Sequence, residues 1–340
     1  MDGSSWTEQA IDKFFATREC PTRSECDDHA RRITGASEVQ QVAVPGSLSY
    51  TVRCIGCPGE QGDKIVSFRQ AESSLDHDVL QLARSIHGAL VPEAVFHGKM
   101  PNSNPPLLVY TMPCLPGIPC LEAISCEAGL SLEEESRHVH FVKHLARYFA
   151  RCWSSPQPVD PEAQAACRER VHRQLMKIKT STSSILPCTT IIELERSLPI
   201  LFDQTYPQVL THNDLSQTNI LINAETFEIT GVVDWSLASV QPFGVELGSL
   251  LLATGYMDLN GWHNYTCRSQ ILNAFWDEFW IHCQIYDDIR RREIRASAMQ
   301  AAKIGAVLRY AFRRNADGSP SEELENSKWA LETLNALLMD

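Results

Sequence analysis

The apolar positions alternate between helical and strand period along the chain. Residues 5–35 space their apolar side chains as two short helices, with Ser5 as a candidate cap. Residues 41–55 and 64–69 are rich in Val, Ile, Tyr and Thr and read as strands, joined by a turn-forming link that holds Gly56, Pro58, Gly59 and Gly62. Leu75, Val79, Leu82, Ala83 and Ile86 then recur at helical spacing over 75–87. Val95-Phe96-His97 and Leu107-Leu108-Val109-Tyr110 are two further strand candidates. Beyond the proline-studded segment Met112 to Pro119 the pattern turns helical, over 131–153, 162–180, 189–204 and 265–340. Two short apolar strands interrupt it, Asn219–Asn223 and Ile229–Val233, joined by a polar turn. These elements predict an α+β protein with a helical N-terminal extension (1–40). A small β-rich lobe (41–112), a hinge (113–118) and a larger, mainly helical lobe (119–340) follow.

Composition narrows the classes of partner. A chain of 340 residues with 44% hydrophobic and 21% charged residues can bury a sizeable core without a disulfide framework. A formal charge of −12 argues against a nucleic-acid polymer or an anionic membrane surface as partner, because that binding draws on Lys and Arg. The N-terminus lacks a basic region followed by an apolar one, and no run reaches the ~18 apolar residues of a membrane span. A cytoplasmic protein, monomer or homodimer, is expected. Its cysteines are scattered, and Cys54 and Cys57 have no second pair to complete a zinc site, so free thiols are expected. His140 and His144 share a helical face without a carboxylate motif beside them and read as surface residues.

The stretch that carries chemistry is His212-Asn213-Asp214-Leu215-Ser216-Gln217-Thr218-Asn219, followed by the two short strands and then Asp234-Trp235. An antiparallel hairpin brings Asn219, at the entrance of its first strand, and Asp234, at the exit of its second, to the same end. One carboxylate, one amide oxygen and substrate phosphates suit Mg²⁺, which prefers hard oxygen ligands and keeps several waters. Asp214, in the loop before the hairpin, is then free to orient and deprotonate an attacking hydroxyl. Phosphoryl transfer asks for little else, since its catalysis is mostly positioning and charge neutralisation.

This H-x-D-x-x-x-x-N…D-W arrangement resembles the aminoglycoside phosphotransferase/choline kinase family, small-molecule relatives of the protein kinases. The resemblance implies a bilobal protein-kinase-like fold and an ATP-dependent kinase acting on a small hydroxyl-bearing acceptor. It makes Asp214 the catalytic base, Asn219 and Asp234 the Mg²⁺ ligands, and His212 a buttress of the catalytic loop. Pro45 to Val52, with Ser47 and Ser49, resembles the family's nucleotide loop. Arg69, on the strand after it, stands where the family places a phosphate-binding cation, usually Lys; Lys64 is the fallback. Its carboxylate partner should come from the next helix, with Asp78 favoured over Asp76 and Glu72. Leu107–Gly117 resembles the hinge, with Met112 as gatekeeper and adenine read by the Pro113 carbonyl and the Leu115 amide. Glu246, in Pro242-Phe243-Gly244-Val245-Glu246, resembles an acidic position that supports the catalytic loop. Gly261-Trp262 and the aromatic helix Phe275-Trp276-Phe279-Trp280 resemble fungal members of the group, although helical spacing makes those rings core. No motif speaks for the acceptor. An acidic cleft, lined for example by Glu278, Asp287 or Asp288, would favour a cationic one. The alternative is an inactive pseudokinase that serves as a nucleotide- or partner-binding module, motivated by the unusual Arg69/Asp78 pair.

Overall fold

Three central strands with largely buried residues organise the small lobe. The computed structural model describes residues 6–16, 18–59, 62–181, 185–315 and 320–338. Strands β1 (Glu38–Gln41), β2 (Ser49–Ile55), β3 (Lys64–Gln70), β4 (Val95–Lys99) and β5 (Leu107–Pro113) form one antiparallel sheet in the order β1-β2-β3-β5-β4. The stretch read from sequence as a single strand over 41–55 is therefore two strands with a loop, 42–48, between them. Helices α1 (Trp6–Ala16) and α2 (Arg23–Thr34) precede the sheet. They are no appendage. Ile11, Phe14, Cys26 and Ala30 share one buried cluster with Tyr50, Val52, Val66 and Phe68 of the sheet. A capping box at Thr22 and Glu25 starts α2, and left-handed Gly35 ends it.

Helix α3 (His77–His87) follows β3 in sequence but turns its apolar side toward the larger lobe. Leu80 and Ala83 share a cluster with Phe141, Leu145, Tyr148 and Trp235. The hinge leads into β6 (Ile118–Pro119), then the long helices α4 (Leu132–Ser154), α5 (Pro161–Thr180) and α6 (Cys188–Leu201). Next come β7 (Gln208–Thr211), β8 (Ile220–Ile222), β9 (Ile229–Val232) and β10 (Ser239–Pro242). β6, β8 and β9 make one small sheet, and β7 pairs with β10. The chain continues through α7 (Gly248–Leu252), the hairpin β11 (Gly255–Asp258) and β12 (Gly261–Asn264), and helices α8 (Arg268–Cys283) and α9 (Asp288–Tyr310). A last hairpin, β13 (Phe312–Arg314) and β14 (Pro320–Leu324), and α10 (Lys328–Leu338) complete it.

The region read as helical over 265–340 thus contains a hairpin. The aromatic run of α8 is core: Phe275, Trp276, Phe279 and Trp280 are all buried. Among the described residues no helix is long and apolar enough to cross a membrane. The described cysteines are free.

Candidate active site

Two small sheets hold the loop from His212 to Asn219 at its ends. β7 runs into it and is tied to β10, with Thr211 opposite Ser239; β8 leaves it and is tied to β9. Inside the loop the side chains complete the backbone bonding. Asn213 takes a left-handed conformation (φ 63°), which Asn tolerates better than most residues. Its amide group donates to the Leu237 carbonyl (2.8 Å) and the Ser239 hydroxyl (2.7 Å).

His212 is fully buried beneath the loop. Its Nδ1 accepts from the Asp214 amide (3.2 Å), so Nε2 carries the proton and donates to the Val233 carbonyl (2.9 Å). Its ring also packs edge-on against Trp235, which donates to the Val232 carbonyl (2.9 Å). His212 positions the loop and has no open face for a substrate. Glu246 supports the same loop from the other end: one carboxylate oxygen accepts from the His212 amide (3.0 Å) and the other from the Leu215 amide (3.3 Å). Burial raises the Glu246 pKa, and the two amides and the nearby His212 and Arg309 oppose that rise without cancelling it.

The Asp214 carboxylate is half-buried between two neighbours. Its Oδ2 accepts from the Asn219 amide group (3.1 Å), which also donates to the Asp214 carbonyl (2.9 Å). Its Oδ1 pairs with Arg309, from the last turn of α9. Burial pushes the Arg309 pKa down, but Asp214 and Tyr310 together outweigh it and the value is raised. No sequence motif marked Arg309, which lies far from the loop in a helix without other signals.

Asn219 and Asp234 meet across the hairpin. The Val233 amide donates to the Asn219 carbonyl (2.9 Å), and Ile220 stands opposite Val232. Asp234 has φ 64°, a second left-handed non-glycine residue within the site, where such strain tends to collect. Its Oδ1 accepts from Arg69 (2.6 Å) and from the Ser236 hydroxyl (2.9 Å). Burial works against its charge, yet Arg69 and then Ser236 hold its carboxyl below the usual carboxylate range. Asp234 Oδ2 and Asn219 Oδ1 accept no hydrogen bond among the described residues, so each residue keeps one hard oxygen without a donor.

The pair expected between Arg69 and Asp78 is not formed. Asp76 caps α3 by accepting from the Asp78 and Val79 amides (2.9 and 3.1 Å), which sets Asp78 in the exposed first turn. Glu72 is exposed as well. Arg69 is buried and bonds instead to Ser73, through Nε to its carbonyl (2.6 Å) and Nη2 to its hydroxyl (2.7 Å), and then to Asp234. A short 3-10 turn, Ala71–Ser73, folds Ser73 back beneath the guanidinium. The longer, forked side chain can reach both partners, where Lys would reach one.

On the nucleotide side, Ser49 is buried at the start of β2 and stands directly opposite Arg69; Ser47 is exposed in the 42–48 loop. Met112 and Pro113 end β5, opposite Ile65 and Lys64. The Cys114 amide bonds to the Asp63 carbonyl (3.0 Å), whereas the Leu115 amide donates to nothing among the described residues. Leu115 packs over Gly231, where a Cβ would lie 2.7 Å from its Cδ1. The hinge is thereby seated on the same hairpin that carries Asn219 and Asp234.

The sequence matches the model of the phosphotransferase enzyme family (APH) over residues 64–270, more than half of the chain. The chain belongs to this family. No curated protein matches it. Among solved structures it is similar to a candidate aminoglycoside phosphotransferase from Ralstonia eutropha JMP134, at 14% identity and TM-score 0.54, covering 93% of this chain and 96% of that one. It is also similar to the macrolide 2'-phosphotransferase MphH from Brachybacterium faecium, at 16% identity and TM-score 0.48, covering 83% and 90%. A choline/ethanolamine kinase family protein from Mesorhizobium loti aligns at 14% identity and TM-score 0.45, covering 83% and 85%. The chain is thus a member of a phosphotransferase family with a bilobal kinase-like fold.

One cavity of this phosphotransferase borders the catalytic loop, and a second lies beside it against α5 and β10. The first, of about 490 Å³, reaches Asn213, Leu215, Ser216 and Arg309; the second, of about 680 Å³, shares Arg170, Ser239 and Gln241 with it. Neither is lined by Glu278, Asp287 or Asp288. Glu278 pairs with Arg147 (2.7 Å) and His282 (3.1 Å), and Asp287 caps α9. These two cavities are not the acidic cleft that would favour a cationic acceptor.

Proposed function

We propose that this phosphotransferase moves the γ-phosphoryl group of ATP to a hydroxyl of a small molecule. The observation that carries the reading is the single hairpin end that gathers Asp214, Asn219 and Asp234, with Asn219 bonded to Asp214 and adjoining Asp234. The free oxygens of Asn219 and Asp234 fit Mg²⁺, which shares its remaining positions with phosphate and water. When bound there, the ion neutralises charge on the phosphate oxygens.

The chain's own groups supply the rest. Asp214 accepts the proton of the acceptor hydroxyl, held in aim by Asn219 and by Arg309. His212 and Glu246 keep the loop rigid, so the base does not reorganise during transfer. Arg69, with Ser49 beside it and the 42–48 loop above, provides a cation for the phosphates. The unpaired Leu115 amide and the Pro113 carbonyl offer a donor and an acceptor for the adenine edge.

The test is a screen of alcohols with ATP and Mg²⁺, read by mass gain of one phosphoryl group. Asp214→Asn and Asp234→Ala should each reduce transfer at least a hundredfold, roughly the contribution of a positioned base. Transfer retained by Asp214→Asn would remove it as the base. The pseudokinase alternative is favoured by one feature: Asp214 and Asp234 are each already paired with an arginine. Mg-ATP binding without transfer to any alcohol would decide for it.

A further inference from the structure

The walls of the two cavities carry a charge pattern opposite to that of the whole chain. Against a formal net charge of −12, the charged residues that line them are Arg170, Arg173, Arg309, Arg314 and one acid, Glu246. Both Glu246 oxygens are already engaged by backbone amides of the catalytic loop, so it presents no acceptor to a ligand. Arg309 is engaged by Asp214. Arg170 and Arg173, one turn apart on α5, form no ion pair with any carboxylate among the described residues; Arg170 donates to the Cys167 sulfur at 3.2 Å. Glu322, whose charge Arg173 also feels, is paired with Lys177 (2.6 Å). Neutral amides, Gln174 and Gln241, add donors to the same wall, while Val171, Leu237 and Leu252 make it largely apolar elsewhere.

A guanidinium without a carboxylate partner, at the edge of a cavity that reaches Asn213 and Leu215 on either side of Asp214, matches the planar fork by which Arg recognises oxyanions. We infer that the acceptor is an amphiphilic alcohol bearing an oxyanion, a carboxylate or a phosphate, and that Arg170 reads that group while the hydroxyl faces Asp214. This rests on the proposed kinase reading and names its substrate class. A cationic amino alcohol would meet like charge in the same place, where the one acid among the lining residues, Glu246, is already engaged. The cavity of about 490 Å³ lies within the size range of small-molecule sites, roughly 300–1,000 Å³.

The experiment measures binding to the full chain by calorimetry. Its ligands are a matched series of ω-hydroxydecanoate, its methyl ester, ω-hydroxydecyl phosphate and ω-aminodecanol. At least one of the two anions should bind about tenfold or more tightly than the ester and the amine, with the advantage shrinking at high salt. The stronger of the two anions tells carboxylate from phosphate. Arg170→Glu should reverse the order so that the amine binds best; Arg170→Gln, which only removes the charge, serves if that variant fails to fold. The inference is overturned if the ester or the amine binds as tightly as both anions, if neither anion binds, or if a folded Arg170 variant keeps the original order. Binding of Mg-ATP, measured separately, tests the kinase reading: its presence without anion preference sinks only the acceptor class, and its absence sinks the kinase.

Discussion

Arg309 reaches from the last turn of α9 to the Asp214 carboxylate, and its other terminal nitrogen donates to the Asn213 carbonyl (3.1 Å). One side chain therefore grips both the base and the left-handed residue that precedes it. The arrangement restrains Asp214 from a direction that the loop's own bonds do not cover.

Arg309→Ala should lower kcat roughly ten- to a hundredfold with little change in KM for ATP, matching the loss of about 1.5–3 kcal/mol from a charge-assisted hydrogen bond. Arg309→Lys should recover part of it, because an ammonium can face Asp214 but cannot present the same fork to Asn213. Steady-state kinetics of the three proteins decide this. An Arg309→Ala enzyme with unchanged kcat would show that Asn219 alone aims the base.

Arg69 makes a different kind of contact, joining the small lobe's β3 to Asp234 of the larger lobe. Removing it leaves Asp234 with only the Ser236 hydroxyl as donor and takes the guanidinium from Ser73. Arg69→Ala should destabilise the protein by roughly 2–3 kcal/mol in urea unfolding, short of the about 3–5 for a fully buried pair because the Asp234 side chain keeps 36% exposure. It should also raise KM for ATP. If KM is unchanged while stability falls, Arg69 is a strut between lobes and does not contact phosphate.

Gly117 sits at the hinge with φ 107°, and a Cβ there would lie 2.5 Å from both the Ile222 carbonyl oxygen and the Thr230 hydroxyl. The Thr230 hydroxyl itself donates to the Pro116 carbonyl (2.5 Å), locking hinge to hairpin. Gly117→Ala should cost roughly 2–4 kcal/mol, from the strained φ and the clash with backbone that cannot move aside. Thermal unfolding checks the loss. A drop in kcat beyond the change in folded fraction would show that hinge seating also sets the positions of Asn219 and Asp234.

His87 lies buried between the two lobes, stacked on Tyr148 at 4.1 Å and near Trp235. Burial first, and then Arg151 and His212, lower its pKa to about 3. Below the ordinary value of 6.5 the unfolded chain gains a proton that the folded one refuses. Stability is therefore lost as pH falls from 6.5 toward 3, by about 1.4 kcal/mol per unit for this group. His87→Phe, which keeps the ring stack, should remove that part of the acid limb. Denaturant midpoints at pH 7 and pH 5 should differ less in the variant than in the parent, by about 2 kcal/mol in stability. Equal pH dependence in both proteins would mean that His87 can be protonated in place.

By itself the amino-acid sequence determined the two-lobe architecture, the strand hairpin and the cluster of Asp214, Asn219 and Asp234. Those residues lie in one loop and one hairpin, so local periodicity and turn chemistry bring them together whatever the rest of the chain does. The partners of the two charges that matter most were decided only by tertiary packing. The family resemblance put the carboxylate for Arg69 on the next helix and favoured Asp78, but the cap formed by Asp76 sets Asp78 in an exposed turn. Arg69 closes instead on Asp234, 165 positions away. Arg309, 95 positions from Asp214, carries no motif, because a lone arginine on a helix gains its role only from what that helix packs against. The same holds for Arg170 and Arg173: the net charge of −12 is a sum over the whole surface, whereas the sign of a cavity depends on which few side chains the fold turns into it.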